Sequence, residues 1–239
     1  CVKGAGLRLD EITNTVTGVT PASFEPAIDY VVAKVPRWPF DKFRSADRTL
    51  TTAMKSTGEV MAIGRTVEEA FKKALRSLDN DMQLHINPSE IRMILTSPTD
   101  ERFGCLFDAF REGFTVEEVA RLTSIAPFFL EKVRNIVDLE RKLKTNFAPE
   151  DVRVARRYGF IAEEIQELTG LTAAEVERLS GVLTYKMVDT CAAEFPATTP
   201  YFYSTWEDGC ELTRNDAKKV LILGSGPIRI GQGIEFDYC

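Results

Sequence analysis

The sequence predicts a mainly α fold, a helical domain flanked by truncated pieces of two α/β units. Three observations point there. Helical spacing of apolar residues holds from Thr66 to about Thr184, a strand-like run precedes it at Ile28 to Val35, and a second apolar run, Lys218 to Leu223, enters a glycine-rich turn. With 239 residues, 44% apolar and 28% charged, the chain has the composition of a globular protein with a sizeable core.

Taken in chain order, residues 1–50 are rich in Pro, Thr and Asp. Their one strand-like run (IDYVVAKV) is apolar on both faces and bounded by Pro26 and Pro36. Such a strand belongs inside a sheet, and few partner strands are evident nearby. From Thr66, the residues Val67, Ala70, Phe71, Ala74, Leu75 and Leu78 fall on one helical stripe. Thr66 and Glu69 have the spacing of a capping box. Residues 79–98 are irregular, punctuated by Pro88 and Pro98. Phe103, Leu106, Phe107 and Phe110 then define a helix that Gly113 can close, and Thr115 with Glu118 opens a short one through Leu122.

After Pro127 comes the longest periodic segment. Phe129, Val133, Ile136, Val137 and Leu143 are expected inward, with Glu131, Lys132, Arg134, Glu140 and Arg141 towards water. The segment REGFTVEEVARLTSIAPFFLEKV from Arg111 aligns without gaps with RYGFIAEEIQELTGLTAAEVERL from Arg157. The repeated unit is a pair of short helices joined by a tight turn, the second copy with its own capping box at Thr172 and Glu175. Tyr185 to Asp208 is aromatic, Thr-rich and broken by Pro196 and Pro200, which predicts an extended connector packed across a surface.

Chemistry is harder to find. A net charge of −6 with no basic cluster makes neither nucleic acid nor an anionic membrane an expected partner, and no run approaches the ~18 apolar residues of a span. The five cysteines are widely spaced with no C-x-x-C pair, and His85 is the single histidine, so no metal site is expected and the cysteines are expected reduced, in a cytoplasmic setting. In the glycine-rich turn (Gly224, Gly226, Gly231, Gly233), Arg229 stands where a dinucleotide fingerprint needs its third glycine, and no Gly-Lys-Ser/Thr follows. The GF-x-x-EE units also resemble helix-turn-helix motifs, which leaves a helical DNA-binding regulator as the alternative reading. Its second helices, PFFLEKVRNIV and AAEVERL, carry aromatics and glutamates rather than base-reading side chains. Carboxylates are expected at solvent-facing helix positions, with no acid/base constellation among them.

Several blocks carry more than periodicity: PASFEPAIDYVVAKVPRWPFDKF (from Pro21), MKSTGEVMAIGRTVEEAFKKALRSL (from Met54), SPTDERF (from Ser97), VDTCAAEFPATTPYFYSTW (from Val188) and VLILGSGPIRIGQGIEFDYC (from Val220). Their order and spacing resemble carbamoyl-phosphate synthetase large chains over essentially the whole sequence. That family pairs two ATP-grasp halves, one phosphorylating bicarbonate and the other carbamate, around a helical oligomerisation domain. The resemblance implies the end of the first half at residues 1–64, the oligomerisation domain with its connector at 65–212, and the opening strand and turn of the second half at 213–239.

It further implies a passage lining for carbamate at Arg229, Gly233 and Glu235, where a labile anion needs a sequestered route. No catalytic, cofactor-binding or metal residue is carried over, since those stretches of the family fall outside this sequence. The sequence starts at Cys1 without a methionine and stops after GIEFDY, so it is expected to be a central piece that is inactive alone. The parent would use ATP and Mg (or Mn), with the rest of the large chain, a glutaminase small subunit and homo-oligomer contacts through helices as partners. Cys105 and Ile125 to Phe128 depart from the family's pattern, so no exact oligomer contact is transferred.

Overall fold

The computed structural model describes residues 6–43, 45–78, 86–196, 198–213 and 215–222, together with the backbone of 228–229. Two strands open the fold. β1 (Val31–Arg37) pairs antiparallel with β2 (Gly58–Gly64), and the short β5 (Ile228–Arg229) pairs with the start of β2, giving the order β1-β2-β5. The first strand was expected at Ile28 to Val35 and inside a sheet; it starts and ends later and forms an edge. Only one face is covered, so Ala33 and Val35 are buried while Lys34 points out, and Pro36 fits because an edge strand need not donate there. β2 was not anticipated, although the buried Val60 and Ala62 alternate with the half-buried Glu59 and Ile63 and the exposed Met61 between two glycines.

Helix α1 (Val67–Ser77) lies across this sheet. Its Ala70 and Ala74, with Leu78 just beyond, meet Ala33, Val35, Val60 and Ala62, small side chains that let helix and sheet approach closely. Phe71 and Leu75 also touch the second, larger core. There Phe71 stacks edge-on against Phe103, which stacks edge-on against Phe107. At the end of β2, a Cβ added to Gly64 would meet Glu69 Cβ at 2.9 Å and Ala70 N at 3.0 Å. Glycine is what lets the helix cross there.

The larger core is helical: α2 (Ile91–Thr96), α3 (Arg102–Arg111), α4 (Val116–Thr123), α5 (Pro127–Thr145), α6 (Pro149–Arg157), α7 (Ala162–Thr169) and α8 (Ala173–Ser180). α2 and α6 were not anticipated; both are short, and α6 begins with Pro149 at its first position. The repeat proves longer than a helix pair, because α3-α4-α5 and α6-α7-α8 match as three-helix units. Gly113 and Gly159 close α3 and α6 with φ of 88° and 86°, and the next amides, Phe114 N and Phe160 N, reach back to Ala109 O and Ala155 O, both at 3.0 Å.

The turns that follow repeat atom for atom. Thr123 Oγ1 donates to Val119 O and accepts from Ile125 N; Thr169 Oγ1 donates to Ile165 O and accepts from Leu171 N. Val119 and Ile165, then Leu130 and Val176, are among the fully buried pairs, each side chain contributing ~1.5–3 kcal/mol of transfer free energy. Phe129, expected inward, is half exposed instead: a start at Pro127 turns Leu130 to the core, and Val133 and Val137 follow it at helical spacing.

The expected connector is a hairpin. β3 (Thr184–Met187) and β4 (Phe202–Thr205) pair antiparallel, burying Tyr203, Thr184 and Thr205. Residues 218–222 form no strand, and Val220, Leu221 and Ile222 are almost wholly exposed. An apolar run without a neighbouring strand among the described residues cannot fill its backbone hydrogen bonds. The glycine-rich turn lies largely outside those residues. No described helix is long and apolar enough to cross a membrane.

Candidate functional site

Of the three residues expected along a passage, the structure places one. Arg229 sits in β5 with its Cα opposite Gly58, and Ile228 lies opposite Glu59. Gly233 and Glu235 fall outside the described residues, as does His85. Among the described residues, no group of three or more His, Cys, Asp or Glu is arranged to hold a metal ion. The buried Cys105 contacts Ile91 O, and burial, reinforced by Asp108 and Glu101, pushes its thiol up to about 12, so it presents no thiolate near neutrality.

The most organised polar chemistry lies where α1 joins everything else. The expectation of water-facing carboxylates fails here: Glu69 is 1% exposed, Glu68 2%, and Asp108 and Asp151 are buried too. The reason is tertiary, because α1 is covered by sheet on one side and helices on the other. Glu69 N donates to Thr66 Oγ1 at 3.1 Å, as the capping spacing predicts, but the Glu69 carboxylate reaches one residue further back and accepts from Arg65 N at 2.7 Å. The same oxygen accepts from Thr205 Oγ1 at 3.1 Å, tying β4 to the start of α1.

Lys73, one turn along, completes this joint. Its Nζ lies 2.7 Å from Glu69 Oε1 as an ion pair outside hydrogen-bond angle, and donates to Ile63 O at 2.9 Å and Ser204 O at 2.6 Å. One ammonium thus bridges β2, β4 and α1. Glu68 faces the helical side, accepting from Asn135 Nδ2 at 2.9 Å with Lys132 Nζ at 3.3 Å, both from α5. Burial, with Glu68 adding, raises the nearby Tyr158 phenol above its usual range.

Lys72 pairs with Glu164 of α7 and lies 4.0 Å above the Phe160 ring, while Arg76 donates to Gly159 O at 3.1 Å. Apart from Glu69 Oε1, which meets Lys73 only as an ion pair, these polar groups are satisfied by hydrogen bonds to one another and to backbone carbonyls. That arrangement fixes orientation, and it offers no nucleophile beside a base. Sequence reasoning missed Glu68 and Glu69 as interior groups because their partners, Asn135 and Thr205, are remote in the chain; the capping spacing of Glu69 was the only local signal.

A second tie links α5 to α6. Lys142 Nζ donates to Asp151 at 2.6 Å, and Ala148 N donates to the other carboxylate oxygen at 2.8 Å. Both contacts, Lys142 first, hold the Asp151 carboxyl below the usual range. A carboxyl whose value is lowered on folding stabilises above its unfolded value near ~4 and loses that contribution as pH falls through the folded value. Asp151→Asn should therefore lower the urea midpoint most at neutral pH, and the gap from the unaltered protein should narrow as pH falls below the unfolded carboxyl value and through the lowered folded one. A gap independent of pH would show that the contact does not act through its charge.

Residues 59–183 match the family model described as carbamoyl-phosphate synthetase large chain, oligomerisation domain, and residues 216–239 match the carbamoyl phosphate synthase preATP-grasp domain. Relatives named carbamoyl phosphate synthase large chain align over 98% of this chain, at 86% identity in Methanoculleus marisnigri, 70% in Methanoregula boonei and 72% in Methanosphaerula palustris. The chain spans 22% of the length of each of these relatives. With more than half its residues in the matched oligomerisation domain, the chain belongs to the carbamoyl-phosphate synthetase large-chain family.

Proposed function

We propose that this chain is the central structural and oligomerisation segment of a large subunit that makes carbamoyl phosphate from bicarbonate, ammonia or glutamine, and two ATP, for arginine and pyrimidine synthesis. The observation that carries the reading is α1, whose buried carboxylates and lysines hold a sheet, a hairpin and both three-helix units in one arrangement. In this reading residues 1–64 close the first ATP-grasp half, 65–212 form the oligomerisation domain with its connector, and 213–239 open the second half.

Arg229, Gly233 and Glu235 would line the carbamate passage, and ATP with Mg or Mn would bind in the remainder of the large chain. A glutaminase subunit and a cytoplasmic setting belong to the same reading. The isolated 239-residue chain is expected to sediment as an oligomer and to show only background bicarbonate-dependent ATP hydrolysis. Clear turnover would place active-site groups within it, and a monomer at about 50 μM, well above a micromolar Kd, would remove the oligomerisation role.

A further inference from the structure

The three-stranded sheet puts three positions in one cross-strand row. Arg37 of β1 lies opposite Gly58 of β2, and Gly58 lies opposite Arg229 of β5. Neighbouring strands are ~4.8 Å apart, so positions 37 and 229 are ~10 Å apart, and the residue between them has no side chain. The row continues the buried face of β1, two residues past Val35, which shares the small core with Val60 and Leu78.

The Arg37 side chain is only 11% exposed. Its Nη1 donates to Trp38 O and to Asp41 Oδ1 at 3.3 Å, and its Nη2 donates to Asp41 Oδ2 at 3.0 Å, so Asp41 covers the end of the guanidinium. The side edge, made by Nε–H and the second hydrogen of Nη2, is different: Nε is buried and has no hydrogen-bond partner among the described residues. Elsewhere in this chain a carboxylate takes that same edge. Asp100 lies 2.9 and 2.8 Å from Nε and Nη2 of Arg48, Glu140 lies 3.1 Å from both nitrogens of Arg111, and Asp10 spans those of Arg8. A buried charged donor without an acceptor is costly, and two parallel N–H groups call for a planar, carboxylate-like anion that accepts both.

We propose that Arg37 is a second anion-holding residue of the carbamate passage, its Nε–Nη2 edge taking the carboxylate end of carbamate beside the Gly58–Arg229 row. This rests on the passage reading above, in which Arg37 belongs to the first half and Arg229 to the second, and it marks the row as the place where the anion crosses between them. The test uses the full-length large chain with ammonia as the nitrogen source, measuring carbamoyl phosphate formed and ATP hydrolysed. Arg37→Lys keeps the charge and loses the fork, and Arg37→Ala loses both. Each should form carbamoyl phosphate about 10-fold more slowly or worse, as expected for one lost bidentate charged contact, with bicarbonate-dependent ATP hydrolysis held within about twofold. Millimolar guanidinium should recover part of the Arg37→Ala rate.

Normal carbamoyl phosphate formation in either variant would overturn the proposal. An equal loss of bicarbonate-dependent ATP hydrolysis would mean that Arg37 only holds the backbone at Trp38 and Asp41, which overturns it as well. Arg229→Gln, measured in parallel, separates this proposal from the reading beneath it. If Arg229→Gln leaves carbamoyl phosphate formation unchanged, the passage reading falls and the role of Arg37 with it. If Arg229→Gln slows that formation and the Arg37 variants do not, the passage reading stands and Arg37 is no part of it.

Discussion

Glu69→Ala is expected to cost about 3 kcal/mol of stability, measured by urea denaturation, because it removes one buried acceptor from three separate elements. Arg65 N and Thr205 Oγ1 lose their partner, and Lys73 loses its counter-ion. Breaking a buried pair costs ~3–5 kcal/mol in general, and Lys73 is one-fifth exposed, so water relieves part of the loss and the low end applies. Glu69→Gln keeps an acceptor for the amide and the hydroxyl and should lose less than half as much. Stability within about 0.5 kcal/mol of the unaltered protein, the range of ordinary surface changes, would show that the joint at the start of α1 is not under load.

The next largest effect uses the repeat as its own control. Gly113 and Gly159 occupy equivalent positions with φ of 88° and 86°, where any Cβ costs ~1–2 kcal/mol. A Cβ at Gly113 meets nothing within 4 Å, whereas at Gly159 it lies 3.1 Å from Glu69 O and Lys72 Cβ and 3.3 Å from Glu69 Cα. Gly113→Ala should therefore show the conformational cost alone, and Gly159→Ala should cost ~1–3 kcal/mol more by prying α1 from the bundle. Equal costs for the two substitutions would mean that α1 yields freely at this contact.

The same comparison shows what a linear reading can and cannot reach. Local rules located α1, α3, α4 and α5, because Thr66 and Thr115 do cap their helices and Gly113 does close one. The relatedness of the two units was visible in sequence, but its extension to α3 and α6 was not, since Leu106 and Val152 match only as buried side chains. β2 was missed because alternation over seven residues is a weak signal beside a strong helix. Lys218 to Ile222 misled in the opposite sense: strong strand propensity forms no ladder without a neighbour to pair with.

Of the polar joint, only the Thr66 and Glu69 spacing could be read in advance. Its other half is Thr205, 136 positions away along the chain. Lys73 and Asn135 carried no sign of their roles at all, because a lysine on a helix and an asparagine on another are ordinary surface residues until the two elements meet. The inward assignment of Phe129 in place of Leu130 turned on where Pro127 starts the helix, a shift of a single residue worth 100° of rotation.

Phe71 and Leu75 carry a consequence for how the molecule comes apart. Since both side chains are counted in the packing of the sheet and of the bundle, α1 has no independent face to surrender. Severing the polypeptide just ahead of it would strip the bundle of its roof tie, and severing just behind it would leave the sheet with half its cover gone. The two layers share one keystone, so they melt together rather than in turn.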